Sequence, residues 1–115
     1  MVSQLIMKFK DYINEKILYV KTTNFEVLKD KKLTLELRKL DHRGLSGGFG
    51  AVLNYPEENP SKIVIAYDNK KPIGWISVGT KDKTQNIFVN PDYRTSKMPN
   101  YKIATTLKNK IYKRK

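Results

Sequence analysis

Cysteine is absent from the 115 residues, which excludes disulfides within the chain, thiolate metal sites and a cysteine nucleophile. Histidine occurs once, at His42, in the polar run Leu-Asp-His-Arg-Gly. One imidazole does not make a transition-metal cluster, so the expectation is a solvated side chain and no metal. No apolar run approaches the roughly 20 residues that span a bilayer. The first residues, from Val2 to Lys16, lack the apolar core and small-residue cleavage site of a secretory signal. A soluble, cytoplasmic protein without membrane contact is expected. Arginine is scarce as well, at four of the 23 basic residues. Because arginine makes the bidentate contacts that read guanine edges, any nucleic acid bound here would be held mainly through its phosphates.

What the chain does have is positive charge. Lys and Arg total 23 against 11 acidic residues, a net of +12. From Tyr93 onward there are basic residues at Arg94, Lys97, Lys102, Lys108, Lys110, Lys113, Arg114 and Lys115, and no carboxylate. Such a balance favours polyanions: nucleic acid, a phosphorylated cofactor or an acidic protein surface. The length corresponds to a single domain over residues 1–115.

The first third of the chain gives mixed signals. Leu5, Ile6, Phe9, Ile13 and Ile17 fall at helical spacing, while Ile17-Leu-Tyr-Val20 has the composition of a short strand. Thr22, Thr23 and Asn24 are helix-capping residues. Leu33, Leu37 and Leu40 suit one face of a helix, although Leu33, Leu35 and Leu37 also alternate. One helix within residues 24–43 is expected, ending at Gly44, where a positive φ costs nothing. The run Gly44-Leu-Ser-Gly-Gly-Phe-Gly50 has no Gly-Lys-Ser/Thr ending and precedes a strand, so it reads as a turn, not a phosphate loop. A strand over 49–55 comes next, then a loop over 56–60 between two prolines.

The second half is clearer. Residues 62–67 form a continuous apolar strand, as in a sheet covered on both faces. Asp68-Asn-Lys-Lys71 supplies turn chemistry, and 72–79 returns antiparallel. A further strand at 85–89 stops at Asn90-Pro91. A helix over about 101–113 carries Ile103, Leu107 and Ile111 on one stripe. Trp75, within an apolar strand, is a core residue. The sum is a mixed α/β, or α+β, fold: an antiparallel meander with flanking helices.

Pro72-Ile-Gly-Trp-Ile-Ser-Val78, then Val89-Asn-Pro-Asp-Tyr-Arg94, then Lys102-Ile-Ala-Thr-Thr-Leu107 succeed one another in this order. Together they resemble the cofactor-binding half of the GCN5-related N-acetyltransferase (GNAT) family. In that pattern a fourth strand carries a glycine, and a fifth ends in Val-x-Pro-x-Tyr-Arg. A loop of the form Arg-x-x-Gly-x-Gly/Ala then opens a helix. The resemblance covers residues 62–111, and departs from the family in three ways. Lys102 stands where the first loop glycine is expected; Arg94 and Ala104 are ten residues apart, a longer gap than the motif has; and the family's usual C-terminal elements do not come after the helix.

The resemblance implies acetyl-CoA as cofactor and transfer of its acetyl group to an amine-bearing acceptor. The pyrophosphate would dock on first-turn helix amides between Lys102 and Thr105, where the macrodipole places about half a positive charge. The cofactor-binding candidates are Arg94, Lys97, Lys102, Ile103, Ala104 and Thr105. Hydroxyls of Thr105 and Thr106 assist, and backbone groups of Ile76–Gly79 polarise the thioester, with Ile76 and Val78 added to the cofactor-binding candidates. Glu57, Glu58 and Asp82 are candidate bases and Tyr93, Tyr101 and Tyr112 candidate acids, with none singled out by spacing. The alternative is a catalytically inactive GNAT-like basic module that binds nucleic acid or an acidic protein. An open sheet edge also suits a homodimer.

Overall fold

The computed structural model describes residues 17–40, 53, 56–94 and 102–112. Strand β1 (Ile17–Thr23) leads into helices α1 (Asn24–Lys29) and α2 (Lys31–Leu40). Strands β2 (Ser61–Asp68), β3 (Lys71–Gly79) and β4 (Gln85–Val89) come next. A 3₁₀ turn (Pro91–Tyr93) and helix α3 (Ile103–Tyr112) complete the described elements. The four strands form one antiparallel sheet in the order β1-β2-β3-β4.

The single helix expected within 24–43 is two helices, because Asp30 ends one and begins the next. Its backbone is extended (φ −101°, ψ 95°), and its N–H donates to the Val27 carbonyl. Its own carboxylate accepts from the Leu33 amide at 3.0 Å, capping α2. Thr34 donates its hydroxyl to the Val27 carbonyl at 2.6 Å, tying the second helix to the first. Thr23 is the N-cap of α1, its Oγ1 accepting from Glu26 N. Asn24, expected as a cap, is instead the first helical residue and is fully buried. Its amide donates to the Asn59 carbonyl at 2.9 Å and its Oδ1 accepts from Ser61 N, pinning α1 to the start of β2.

Both faces of β2 and β3 are covered, as the unbroken apolar runs require. On one face Ile63, Ile65 and Trp75 pack with Val27, Leu37 and Leu53. On the other, Val64, Ala66, Ile73, Ile76 and Val89 pack with Ile103, Leu107 and Ile111 of α3. Trp75 is wholly buried, as expected. The Leu33/Leu37/Leu40 stripe faces the first core, whereas Leu35 is exposed, which settles that segment as helix.

A register shift between Ala66 and Tyr67 leaves Ile73 as an extra residue, because Tyr67 pairs with Pro72 and Ala66 with Gly74. That bulge turns Ile73 to the same face as Ile76. The β2–β3 hairpin closes through Asn69 (φ 52°) and Lys70 (φ 71°), two consecutive left-handed residues that match the twist of the strands.

Leu53 is helical and buried in the first core, so the strand expected over 49–55 is absent at that position. The strands expected as fourth and fifth are therefore the third and fourth among the described residues. The helical pattern of residues 5–16, the helix end at Gly44, His42, Lys97 and Tyr101 lie outside the described residues. No described helix is long and apolar enough to cross a membrane.

Candidate functional site

The antiparallel pairing of β3 with β4 decides which backbone groups of β4 are committed. Asn90 donates to the Ile73 carbonyl at 2.7 Å, and Gly79 donates to the Thr84 carbonyl at 2.9 Å. Between these, the register pairs Trp75 with Phe88 and Ser77 with Asn86. Hydrogen-bonded and non-bonded pairs alternate in an antiparallel ladder. Asn86 and Phe88 thus direct their N–H and C=O toward β3, and Gln85, Ile87 and Val89 direct theirs outward. Among the described residues no strand meets that outer edge. Arg94 confirms the direction: its Nε donates to the Val89 carbonyl at 2.7 Å.

Arg94 is held at the end of β4 by the turn that precedes it. Asn90 Oδ1 accepts from the Asp92 amide at 2.9 Å and starts the 3₁₀ turn at Pro91. Tyr93 then donates its hydroxyl to the Asp68 carboxylate, a buried group at the end of β2. With both sides of the turn fixed, the Arg94 side chain folds back along β4, its guanidinium 5.4 Å from the centre of the Phe88 ring.

Helix α3 begins beside this turn. Lys102 has φ 47°, the left-handed region that favours glycine, and its carbonyl accepts the first helical bond, from Thr106 N at 3.0 Å. The amides of Ile103, Ala104 and Thr105 precede that bond and have no acceptor within the helix. No acidic residue stands in the first turn. The Thr106 hydroxyl donates to the Lys102 carbonyl at 2.9 Å, reinforcing the start of the helix.

Between the outer edge of β4 and α3 runs an open furrow. Its first part, a cavity of ≈ 310 Å³, has Ile87, Val89, Ile103 and Ala104 as an apolar floor, with Arg94 and Lys108 at its rim. A second cavity, ≈ 380 Å³, is polar and lies toward the start of β4, where Tyr112 donates to Gln85 Oε1 at 2.6 Å. Lys108 borders both, and among the described residues no carboxylate lines either.

Of the residues singled out from sequence, Arg94, Ile103 and Ala104 converge on the first cavity, Thr105 lines the second, and Lys102 begins the helix between turn and furrow. Ile76 and Val78 do not join them. Both belong to β3, a central strand with ladder partners on each side, and Ile76 is wholly buried. Their backbone is consumed by the sheet, and the amides that point away from it belong to Ile87 and Val89 of the next strand. Sequence reasoning passed over Ile87, Val89, Lys108 and the Asp68–Tyr93 pair. The signal for the first two was strand order: the last strand of a meander is an edge.

The candidate acids and bases are dispersed. Glu57 and Glu58 are exposed in a turn, and Tyr93 is engaged with Asp68. Asp82 is exposed near the start of β4; the Thr84 amide donating to its Oδ1 at 3.0 Å holds its carboxyl below the usual carboxylate range. Of the described candidates, Tyr93 lines the first cavity and Tyr112 the second, and each hydroxyl is already hydrogen-bonded, to Asp68 and to Gln85 Oε1 respectively. No group of three or more potential metal ligands occurs among the described residues. No protein-family model matches the chain, and no curated protein or solved structure matches it above chance similarity.

Proposed function

We propose that the chain is a GNAT-like protein that binds acetyl-CoA along the β4–α3 furrow and passes its acetyl group to an amine. The observation that carries this is the backbone of Lys102. At the position where the family's loop has glycine, this chain has a lysine, yet the residue adopts the left-handed conformation that glycine serves (φ 47°). A left-handed residue at this position supports the resemblance although the side chain has changed. Beyond it, α3 opens with three amides that have no intrahelical acceptor, and two of those residues, Ile103 and Ala104, line one cavity with Arg94, with no carboxylate among its described lining residues. A pyrophosphate there would gain charge-assisted bonds and the field of the helix terminus. The outward amides of Ile87 and Val89 would meet the amide groups of pantetheine, and the apolar floor would meet its methylene groups.

In the transfer, the amine nitrogen attacks the thioester carbonyl carbon. The C–N bond would form as C–S breaks, with the nitrogen releasing one proton to water and the departing thiolate taking one up. A protein lysine, a polyamine or another small amine fits as acceptor. Isothermal titration of acetyl-CoA into the purified chain tests the proposal, with Lys102→Glu alongside. Micromolar binding that the variant loses is expected. A flat trace with the unaltered chain would overturn it.

A second reading is favoured by the net charge of +12: a basic, catalytically inactive module for nucleic acid or an acidic protein. It predicts binding to nucleic acid that weakens steeply with salt as counterions are released.

A further inference from the structure

We infer that the outer edge of β4 is a docking site for an extended acidic peptide, which adds to the sheet as a further strand. The edge presents the N–H groups of Gln85, Ile87 and Val89 and the carbonyls of Gln85 and Ile87, while the Val89 carbonyl is taken by Arg94. These groups recur every second residue, about 7 Å apart, which is the repeat of a peptide backbone in a neighbouring strand. Nucleic acid offers no such row of alternating donors and acceptors. Side chains of an added strand would alternate, one set entering the cavity above Ile87, Val89 and Ala104.

Charge selects the partner. Arg94 and Lys108 rim the furrow, Lys102 stands exposed at the start of α3, and no carboxylate among the described residues lines either cavity. Glutamate or aspartate in the set of side chains that faces the furrow would meet these cations. The same charges disfavour a second copy of the chain. Added antiparallel, its exposed Lys81 and Lys83 turn would lie against the Arg94 end of the first. Asp82 in that turn and Asp92 before Arg94 offset part of this repulsion, so self-pairing gains less from charge than an acidic strand does. The inference does not depend on acetyl-CoA. A peptide and pantetheine would compete for the same edge amides.

The test uses an end-capped heptapeptide alternating valine and glutamate, titrated into the whole chain. Two further peptides carry N-methyl groups, one on the valine nitrogens and one on the glutamate nitrogens. Only one set of nitrogens faces β4 in an added strand, so one methylated peptide should lose at least tenfold in affinity while the other keeps most of it. Replacing glutamate by lysine should abolish binding. Equal loss from both methylated peptides, or loss from neither, would overturn the inference, as would equal binding of the lysine peptide. Hydrogen exchange gives a readout free of mutation: the amides of Ile87 and Val89 should slow on peptide addition, and unchanged exchange there would refute edge pairing. If acetyl-CoA gives no heat while the peptide binds, the cofactor proposal fails and this one stands. If acetyl-CoA binds and the peptide does not, this one alone fails.

Discussion

Tyr93 donates its hydroxyl to the carboxylate of Asp68, joining two residues 25 positions apart and locking the turn after β4 to the end of β2. The next residue in the chain is Arg94, which owes its position over Phe88 and Val89 to this turn. Through Arg94 the furrow acquires one of the two cations, with Lys108, that line it. Tyr93→Phe leaves a buried carboxylate without this donor, which costs about 1–3 kcal/mol. Urea unfolding should show that loss, and if the furrow takes acetyl-CoA as proposed, affinity for it should fall as well. Retained affinity in a destabilised variant would mean that Arg94 is held by its own contacts with β4 and not by the turn.

Lys102 allows the loop geometry to be separated from charge. A non-glycine residue in the left-handed region costs roughly 1–2 kcal/mol. Lys102→Gly removes that penalty and adds roughly 0.5–1 kcal/mol of unfolded-chain entropy. Its stability should therefore stay within about 1 kcal/mol of the parent. Lys102→Val, β-branched, should lose about 1–2 kcal/mol more than the glycine variant. If a phosphate approaches here, the glycine variant keeps binding and the glutamate variant loses it, because the amides are unchanged and only the local charge is reversed.

Much of the sheet was legible in the sequence, for a physical reason. Strands β2 and β3 are buried on both faces, so their apolar runs are continuous, and Asn69-Lys70 supplies a tight turn between them. The α1–α2 break was not legible, since Asp30 terminates one helix and caps another without a proline or glycine to mark it. The site was half legible. Local motifs marked Arg94 and Ala104, which line one cavity, and Lys102, which opens α3. They could not show that Ile76 and Val78 sit in a central strand with no free amides, because pairing is a property of the whole sheet and not of the segment. Asp68 escaped notice for the same reason: its partner arrives from the far side of two strands.

Asn24 makes a third test, directed at the other core. Its side chain serves both the Asn59 carbonyl and the Ser61 amide while fully buried. Asn24→Ala should cost about 1–3 kcal/mol, since it strands buried polar groups at the start of β2. Asn24→Asp should be nearly as harmful, because a carboxylate cannot donate to a carbonyl. Chemical denaturation of the two variants decides this. If the aspartate variant matched the parent, the bond to Ser61 would carry the whole effect.

Gly74 pairs with Val89, and a Cβ built there would stand 3.0 Å from the Phe88 carbonyl oxygen and 3.4 Å from the Val89 Cα. These are backbone atoms of the edge strand, so relief requires β4 to move outward. Gly74→Ala should destabilise by about 1–3 kcal/mol, in the range of other overpacked sites. It should also raise hydrogen exchange at Phe88 and Asn90, whose amides face β3. A bulkier Gly74→Val should exceed the alanine effect.

Two tyrosines fix the alkaline limit. Burial raises the Tyr19 phenol above its ordinary value, partly offset by its bond with Thr106; burial also raises Tyr67, aided by the nearby negative charges of Asp30 and Glu36. A group whose folded value lies above its unfolded one contributes stability that is fully present below the unfolded value, near 10, and lost as pH rises through the folded value. The fold should therefore hold its stability to about pH 10 and weaken beyond it. Ultraviolet titration of the seven tyrosines should show a late component that merges with the rest when the chain is unfolded in urea. Tyr67→Phe should remove part of that component and reduce the alkaline loss of stability. Tyrosines that ionise together in the folded chain would show that water reaches both rings, and that the two cores are looser than their packing indicates.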